Sequence, residues 1–207
     1  MATYPATFDV ERPEKFARSQ LALRLLLLVV LSVVGGVLSW AHTALWLGVP
    51  VLAAILISQK GAKRYHDEAN GNMISWLRFI AGAYAYLALL TDKLPGDSTA
   101  GPNSQFEITP TGTPTVGGTL ARIILIIPHA IVIAILSMVA ALLIIFAAVM
   151  ILVRGSYPNS VYNFLRGWVR WQARVLAYMA ALVDEYPPFS LRAGGDAPPL
   201  AAAMITS

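Results

Sequence analysis

The sequence predicts an all-α integral membrane protein. Its expected architecture is a duplicated unit, a transmembrane helical hairpin plus an interfacial amphipathic helix, with a short β-strand before each hairpin. Three observations carry that expectation. Of the 207 residues, 57% are hydrophobic and only 13% charged, against about 25% charged in soluble globular proteins, and the mean hydropathy is +0.64. Two long stretches, Leu25 to Gln59 and Ile123 to Val153, carry no Asp, Glu, Lys or Arg. The second half also repeats residue patterns of the first at nearly constant offset.

In chain order, residues 1–18 are a polar preface in which Ala6 to Val10 reads as a short strand. Pro13 and Glu14 precede a helix that runs into the first apolar stretch. As one helix, Leu25 to Gln59 would be about 50 Å long, against a hydrocarbon core of about 30 Å. Two short spans with a turn near Ser39 to Thr43 are expected instead, with Trp40 and Trp46 at an interface. A basic loop from Gln59 to Asn72 follows, carrying Lys60, Lys63 and Arg64, and then a first interfacial helix from Met73 to Thr91. Residues 96–119 are rich in Gly, Pro, Ser and Thr and read as a connector, with a second short strand at Phe106 to Thr109. The second apolar run has Pro128 as a candidate kink and Ser137-Met138 as a candidate turn. The last helix, within Asn163 to Leu191, carries Arg166, Arg170 and Arg174 every four residues, hence on one face. Trp168, Trp171, Val175, Leu176, Met179 and Leu182 supply an apolar surround, which suits a membrane interface. The expected divisions are unit 1 at 1–95, a linker at 96–105, unit 2 at 106–191 and a disordered tail at 192–207.

The repeat pairs Phe8 with Phe106 and Arg24 with Arg122 at one offset. At a second offset it pairs Tyr65 with Tyr157, Trp76 with Trp168, Arg78 with Arg170, Ala81 with Ala173, Tyr86 with Tyr178, Asp92 with Asp184 and Pro95 with Pro187. Two spans per unit would give both units one orientation. The Lys and Arg residues flanking the apolar runs, among them Lys15, Arg18, Arg122 and Arg154, would then lie on the cytoplasmic side with both termini. A competing topology lets residues 74–90 span, giving three spans per unit and inverted units. It has to place Arg166, Arg170 and Arg174 on a spanning helix, which is costly.

The second half carries IIPHAIVI at Ile126 to Ile133, RGSYP at Arg154 to Pro158 and LRGWVRWQARVLAYMAALVDEYPPFSL ending at Leu191. With these spacings it resembles a bacterial membrane family catalogued only as a domain of unknown function, number four-three-eight-nine. The resemblance covers about residues 105–191, and the first half looks like a diverged copy. That copy departs at Lys93-Leu94, where the second half has Glu185-Tyr186, and has no Pro-His pair in its first span. The resemblance implies a protein of a bacterial cytoplasmic membrane and implies no activity.

Candidate chemistry is sparse. The absence of Cys removes disulfides, thiolate catalysis and Cys-ligated metals. His129, in an apolar run after Pro128, is a candidate intramembrane site, or a neutral His bonded to a backbone carbonyl that the proline frees. His66-Asp67-Glu68 cannot converge on one metal from a regular helix or strand, so no metal site is expected. Asp92 and Asp184 each end a helix, where a negative charge is unfavourable. Arg24 and Arg122 are their expected ion-pair partners, with a proton or cation site as the alternative. No nucleophile set, paired intramembrane carboxylates or phosphate loop occurs, so neither an enzyme nor a cofactor is expected.

Three functions compete. The first is a non-enzymatic membrane scaffold or accessory subunit that binds anionic lipid headgroups or a membrane protein partner through Arg166, Arg170, Arg174 and Arg78. The second is a small transporter or channel with a site at the repeat interface. The third is a lipid-modifying enzyme, which would need an acid, base or metal set not evident in the chain. A net charge of +4 suits an anionic leaflet rather than nucleic acid.

Overall fold

Alternation with period two makes Ala6, Phe8 and Val10 point one way along a strand, and all three are buried. The computed structural model describes residues 4–19, 21, 24, 35–69, 72–94 and 104–193. Within them the order is β1 (Ala6–Val10), α1 (Gly35–Lys60), α2 (Ala62–Ala69), α3 (Met73–Leu87), β2 (Ser104–Ile108), α4 (Val116–Leu125), α5 (Ile127–Arg154) and α6 (Asn159–Met179). The chain is thus mostly helical with one small sheet. The two expected strands pair with each other, antiparallel, with Phe8 opposite Phe106 and the two rings edge-on at 6.0 Å. Their buried faces lie on the helices, β1 against α6 and β2 against α3.

Helix α6 is the centre of the molecule. Every residue from Val169 to Val183 is buried, and α1, α3, α4, α5 and β1 all pack on it. It was expected to lie flat at a membrane interface with one face wet; instead its whole C-terminal half is core. Helices α3 and α6 end alike. Leu89 and Ala181 adopt the left-handed conformation, at φ 60° and 54°. Leu90 N–H reaches back to Ala85 O at 3.0 Å, and Leu182 N–H to Ala177 O at 3.2 Å. This arrangement satisfies otherwise orphaned helix-end carbonyls.

Helix α4 starts at Thr115, whose hydroxyl accepts from Gly118 N–H at 3.1 Å. It ends at Ile126, and α5 begins with Pro128 in its first turn. There the proline's missing N–H costs nothing. Helix α5 then runs 28 residues, about 40 Å, to Gly155 at φ 73°. Its buried residues are His129, Ile133, Ala140, Ala147 and Ile151, a single stripe at helical spacing. Most of the rest, including Ile131, Ile135, Met138, Leu142, Ile145 and Val149, is exposed and apolar.

Two expectations about the apolar runs need correction. No turn occurs at Ser137-Met138: Ser137 Oγ donates to Ile133 O at 2.7 Å inside an unbroken helix, and no Gly, Pro or Asn interrupts the ladder there. Nor does one occur at Ser39 to Thr43, because residues 35–60 are one helix that also accommodates Pro50. Any bend between Leu25 and Val34 lies outside the described residues. The basic loop is largely the helix α2, held by Lys60 and Arg64 on Glu68 at 2.5 and 2.6 Å. With α5 a single helix, Arg122 and Arg154 stand at its opposite ends. The placement of all flanking charges and both termini on one side therefore loses its premise in the second half. The tail expectation changes as well. Residues 187–193 lie against the protein, and 194–207 are outside the described residues, as are residue 95 and 96–103 of the expected connector.

Candidate functional site

The arginine face is covered by the protein itself. Arg170 is buried and donates from Nε to Phe8 O at 2.8 Å, from Nη2 to Asp9 Oδ1 at 3.0 Å and from Nη1 to Leu191 O at 3.3 Å. Arg174, fully buried, donates to Ser190 O at 3.2 Å and to the carbonyls of Arg192 and Ala193, both at 2.7 Å. Arg166 is half-buried and lies 3.4 Å from Asp9. The expectation that these guanidiniums face lipid phosphates is therefore corrected for Arg170 and Arg174, while Arg166 stays partly exposed. It rested on the lack of nearby carboxylates in sequence. Asp9 and a row of tail carbonyls, all distant in the chain, supply the compensation instead. The tail lies directly on the helix: a Cβ at Gly167 would sit 2.7 Å from Leu191 O. Burial pulls the Arg174 pKa down to about 10, so it stays protonated at neutral pH. Arg78 is exposed along much of its length but also donates inward, from Nε to Phe106 O at 2.9 Å.

That last bond has a counterpart. Arg78 bonds the carbonyl of Phe106 in β2, and Arg170 bonds the carbonyl of Phe8 in β1. Tyr65 donates its hydroxyl to Ala180 O at the end of α6 at 2.5 Å, and Tyr157 donates to Leu89 O at the end of α3 at 2.7 Å. In each pair, a residue from one half bonds the backbone of the other. Sequence reasoning had paired these residues by offset but had not foreseen that they cross between halves.

The two expected arginine–aspartate pairs are both brought together. Arg24 Nη2 meets Asp92 Oδ1 at 2.8 Å, and also donates to Thr91 O. Its guanidinium lies 4.1 Å from the Tyr86 ring centre. Arg122 Nη2 meets Asp184 Oδ1 at 2.9 Å, and Nη1 donates to Tyr178 O and Val183 O, both at 2.6 Å. That guanidinium lies 4.4 Å from the Tyr178 ring centre. Each arginine thus caps the C-terminal end of a helix, where cations are favoured. The carbonyl contacts satisfy donors that the carboxylate leaves over.

His129 is fully buried and sits among aromatic rings. Trp171 Nε1 donates to its Nδ1 at 3.0 Å, and Phe189 stacks on it at 3.9 Å between centroids. Its polar neighbours are thus the indole of α6 and the backbone of Pro187, neither of them a carbonyl of α5 freed by the proline break. His66 Nε2 lies 3.1 Å from Ala181 O. Lys60 and Arg64 hold the Glu68 carboxyl down near 2. Among the described residues no three His, Asp or Glu side chains converge as a metal site would require.

Sequence reasoning missed a cavity of about 650 Å³ between α1, α3, α4, α5 and α6. It is lined by Trp46 and Tyr84 from the first half and by Ile126, Ala130, Ala134, Trp168 and Gln172 from the second, among others. Pairs of small residues at i and i+4 such as Ala130 and Ala134 are the one sequence signal that could have pointed to it.

In comparisons with known proteins, the family model described as Domain of unknown function (DUF4389) matches residues 117–190. That is α4 nearly from its start, α5, α6 and the segment folded over them, little more than a third of the chain. No curated protein matches the chain, and no solved structure does.

Proposed function

We propose that this chain is a non-enzymatic scaffold or accessory subunit embedded in a bacterial cytoplasmic membrane, built from two copies of one unit whose contacts cross between the copies. The membrane reading is carried by α5. It is the one helix among the described residues long and apolar enough to cross a bilayer; its most apolar 18-residue stretch has a mean hydropathy of 3.1, and only 17% of that stretch is buried. A core helix of a water-soluble protein would be covered; an exposed, uncharged surface of this length requires lipid or a partner. The duplication reading is supported by the exchanged Arg78 and Arg170 bonds, the exchanged Tyr65 and Tyr157 bonds, and the two Arg–Asp–Tyr helix ends. Because Arg170 and Arg174 are covered, the basic groups that fit anionic headgroups or an acidic partner are Lys15, Arg18 and Arg154, all exposed. Arg18 Nη2 to Val153 O at 3.4 Å and Phe16 N–H to Gly155 O at 3.0 Å gather them at the C-terminal end of α5. Each such charge contributes about 1 kcal/mol near an anionic leaflet.

The test uses single cysteines in this cysteine-free chain, probed with an impermeant thiol reagent in sealed membranes. Leu142→Cys is expected to stay unlabelled until detergent is added, and Thr113→Cys and Ser160→Cys to be labelled from opposite sides. Labelling of Leu142→Cys in intact membranes removes the membrane reading. Same-side labelling of the other two removes the single crossing by α5. A small transporter remains a second reading because the cavity lies where the halves meet. Solute flux in liposomes at a rate above that of empty vesicles would favour it over the scaffold.

A further inference from the structure

The cavity between the halves has a composition that selects its occupant. Its volume, about 650 Å³, lies within the ~300–1,000 Å³ typical of small-ligand sites. None of its lining residues is Asp, Glu, Lys, Arg or His, so it offers no counter-charge to an ion or a charged headgroup. Its walls are isoleucines, alanines and the two indoles of Trp46 and Trp168. Ala130, Ala134, Ile124, Ile127 and Leu47 belong to it and are also exposed, so its mouth is continuous with the outward apolar surface of α5. Whatever wets that surface reaches the cavity directly.

Polar groups are few. Trp168 Nε1 donates to Ser137 Oγ at 3.2 Å, and Ser137 in turn donates to Ile133 O, so this pair is satisfied. Gln172 is different. It is 2% exposed, lines the cavity, and its amide nitrogen has no hydrogen-bond partner. A buried amide left in that state costs free energy. A neutral acceptor such as an ester carbonyl would remove the cost without bringing in charge.

We propose that this cavity binds one hydrocarbon chain of a membrane lipid, entering from the α5 surface, with an uncharged ester linkage next to Gln172. The inference rests on the membrane reading of α5. The small side chains of Ala130 and Ala134 leave the space open, and the bilayer holds acyl chains at the cavity mouth in excess of any other apolar ligand.

The experiment uses the full chain in liposomes of phosphatidylcholine whose acyl chain carries a diazirine, with crosslinks mapped by mass spectrometry. Expected are crosslinks at Ile126, Ala130 and Gln172 in addition to those on the outward face at Met138 and Leu142. Ala134→Trp fills the cavity from an exposed position and should abolish the cavity crosslinks while leaving the outward ones. Ala130→Phe, filling it from the next turn, should do the same. Ala141→Trp, outside the cavity on the exposed side of α5, should change neither set. Cavity crosslinks that are absent, or that persist in both filled variants, overturn the proposal while the outward crosslinks still uphold the membrane reading. Loss of both sets from the unmodified chain overturns both.

Discussion

Arg24 with Asp92 and Arg122 with Asp184 use the same residue types at the same kind of helix end, yet they sit in different surroundings. The first pair is enclosed: Arg24 is 1% exposed and the Asp92 side chain 21%, and Asp92 also accepts Ala17 N–H at 2.8 Å. In the second, Arg122 is equally enclosed at 7%, but the Asp184 side chain is 66% exposed. Instead, the backbone of Asp184 donates to Thr111 Oγ1 at 3.0 Å, and Gly112 lies so near that a Cβ there would meet its side chain. A carboxylate in water interacts weakly with its partner because solvent screens the pair, while one withdrawn from water both needs and rewards its donors. The recurrence of a charge pattern therefore fixes who meets whom, and burial fixes how much the meeting matters.

The largest expected effect comes from separating these pairs. Asp92→Ala should lower the stability of the detergent-solubilised protein by about 2 kcal/mol, since it strands a buried arginine that made a charge-assisted bond. Asp184→Ala should cost about 0.5 kcal/mol, the worth of an exposed partner. Double-mutant cycles with Arg24→Ala and Arg122→Ala, read from denaturation midpoints, should show clear coupling in the first pair and little in the second. Equal couplings would mean that exposure of Asp184 does not weaken its pair.

A smaller effect isolates the backbone device that only the second half has. Gly112 has φ 71°, and a Cβ there would stand 2.7 Å from Asp184 Cβ. Gly112→Ala should cost about 1–2 kcal/mol from the left-handed backbone alone, and weaken the Thr111 N–H to Leu182 O bond, now 2.9 Å. Faster amide exchange at Thr111 without change at Leu89 would localise the damage to this half. Equal acceleration at both would show that the two helix ends are one cooperative unit.

The smallest effect concerns α2, which the first half has and the second replaces with the short turn at Gly155. The folded-state pKa of Glu68 is depressed to about 2 by hydrogen bonds from Lys60 and Arg64. A depressed carboxyl contributes stability above its unfolded value, near 4.3, and loses it as pH falls through the folded value. The contribution should therefore fade between about pH 4.5 and 2. Glu68→Gln should remove that part of the acid dependence, with the carboxyl titration followed by NMR. A titration midpoint near 4.3 would show that these exposed pairs do not persist in solution.

How far the sequence reads depends on the range of the interaction. Both strands were legible as short segments, although β2 begins two residues before the expected start. Pro128 marked the break between α4 and α5 because a proline's missing N–H acts on its own turn. The aspartates at two helix ends and the arginines at two span entries were legible as partners because the same mismatch occurs twice. Turns inferred from length alone failed at Ser137 and at Ser39 to Thr43, since membrane thickness limits what may span but no local residue there breaks a helix.

By itself, then, the sequence determined a membrane-like composition, the helical class, the two strands and which charges need partners, all properties of single residues or of neighbours within a turn. Only the tertiary structure decided that Arg170 and Arg174 face inward. Their partners are Asp9 and the carbonyls of Ser190 to Ala193, brought together from the two ends of the described chain. A stripe of arginines has the same spacing whether it meets phosphates or buried carbonyls; what differs is which segment folds over it.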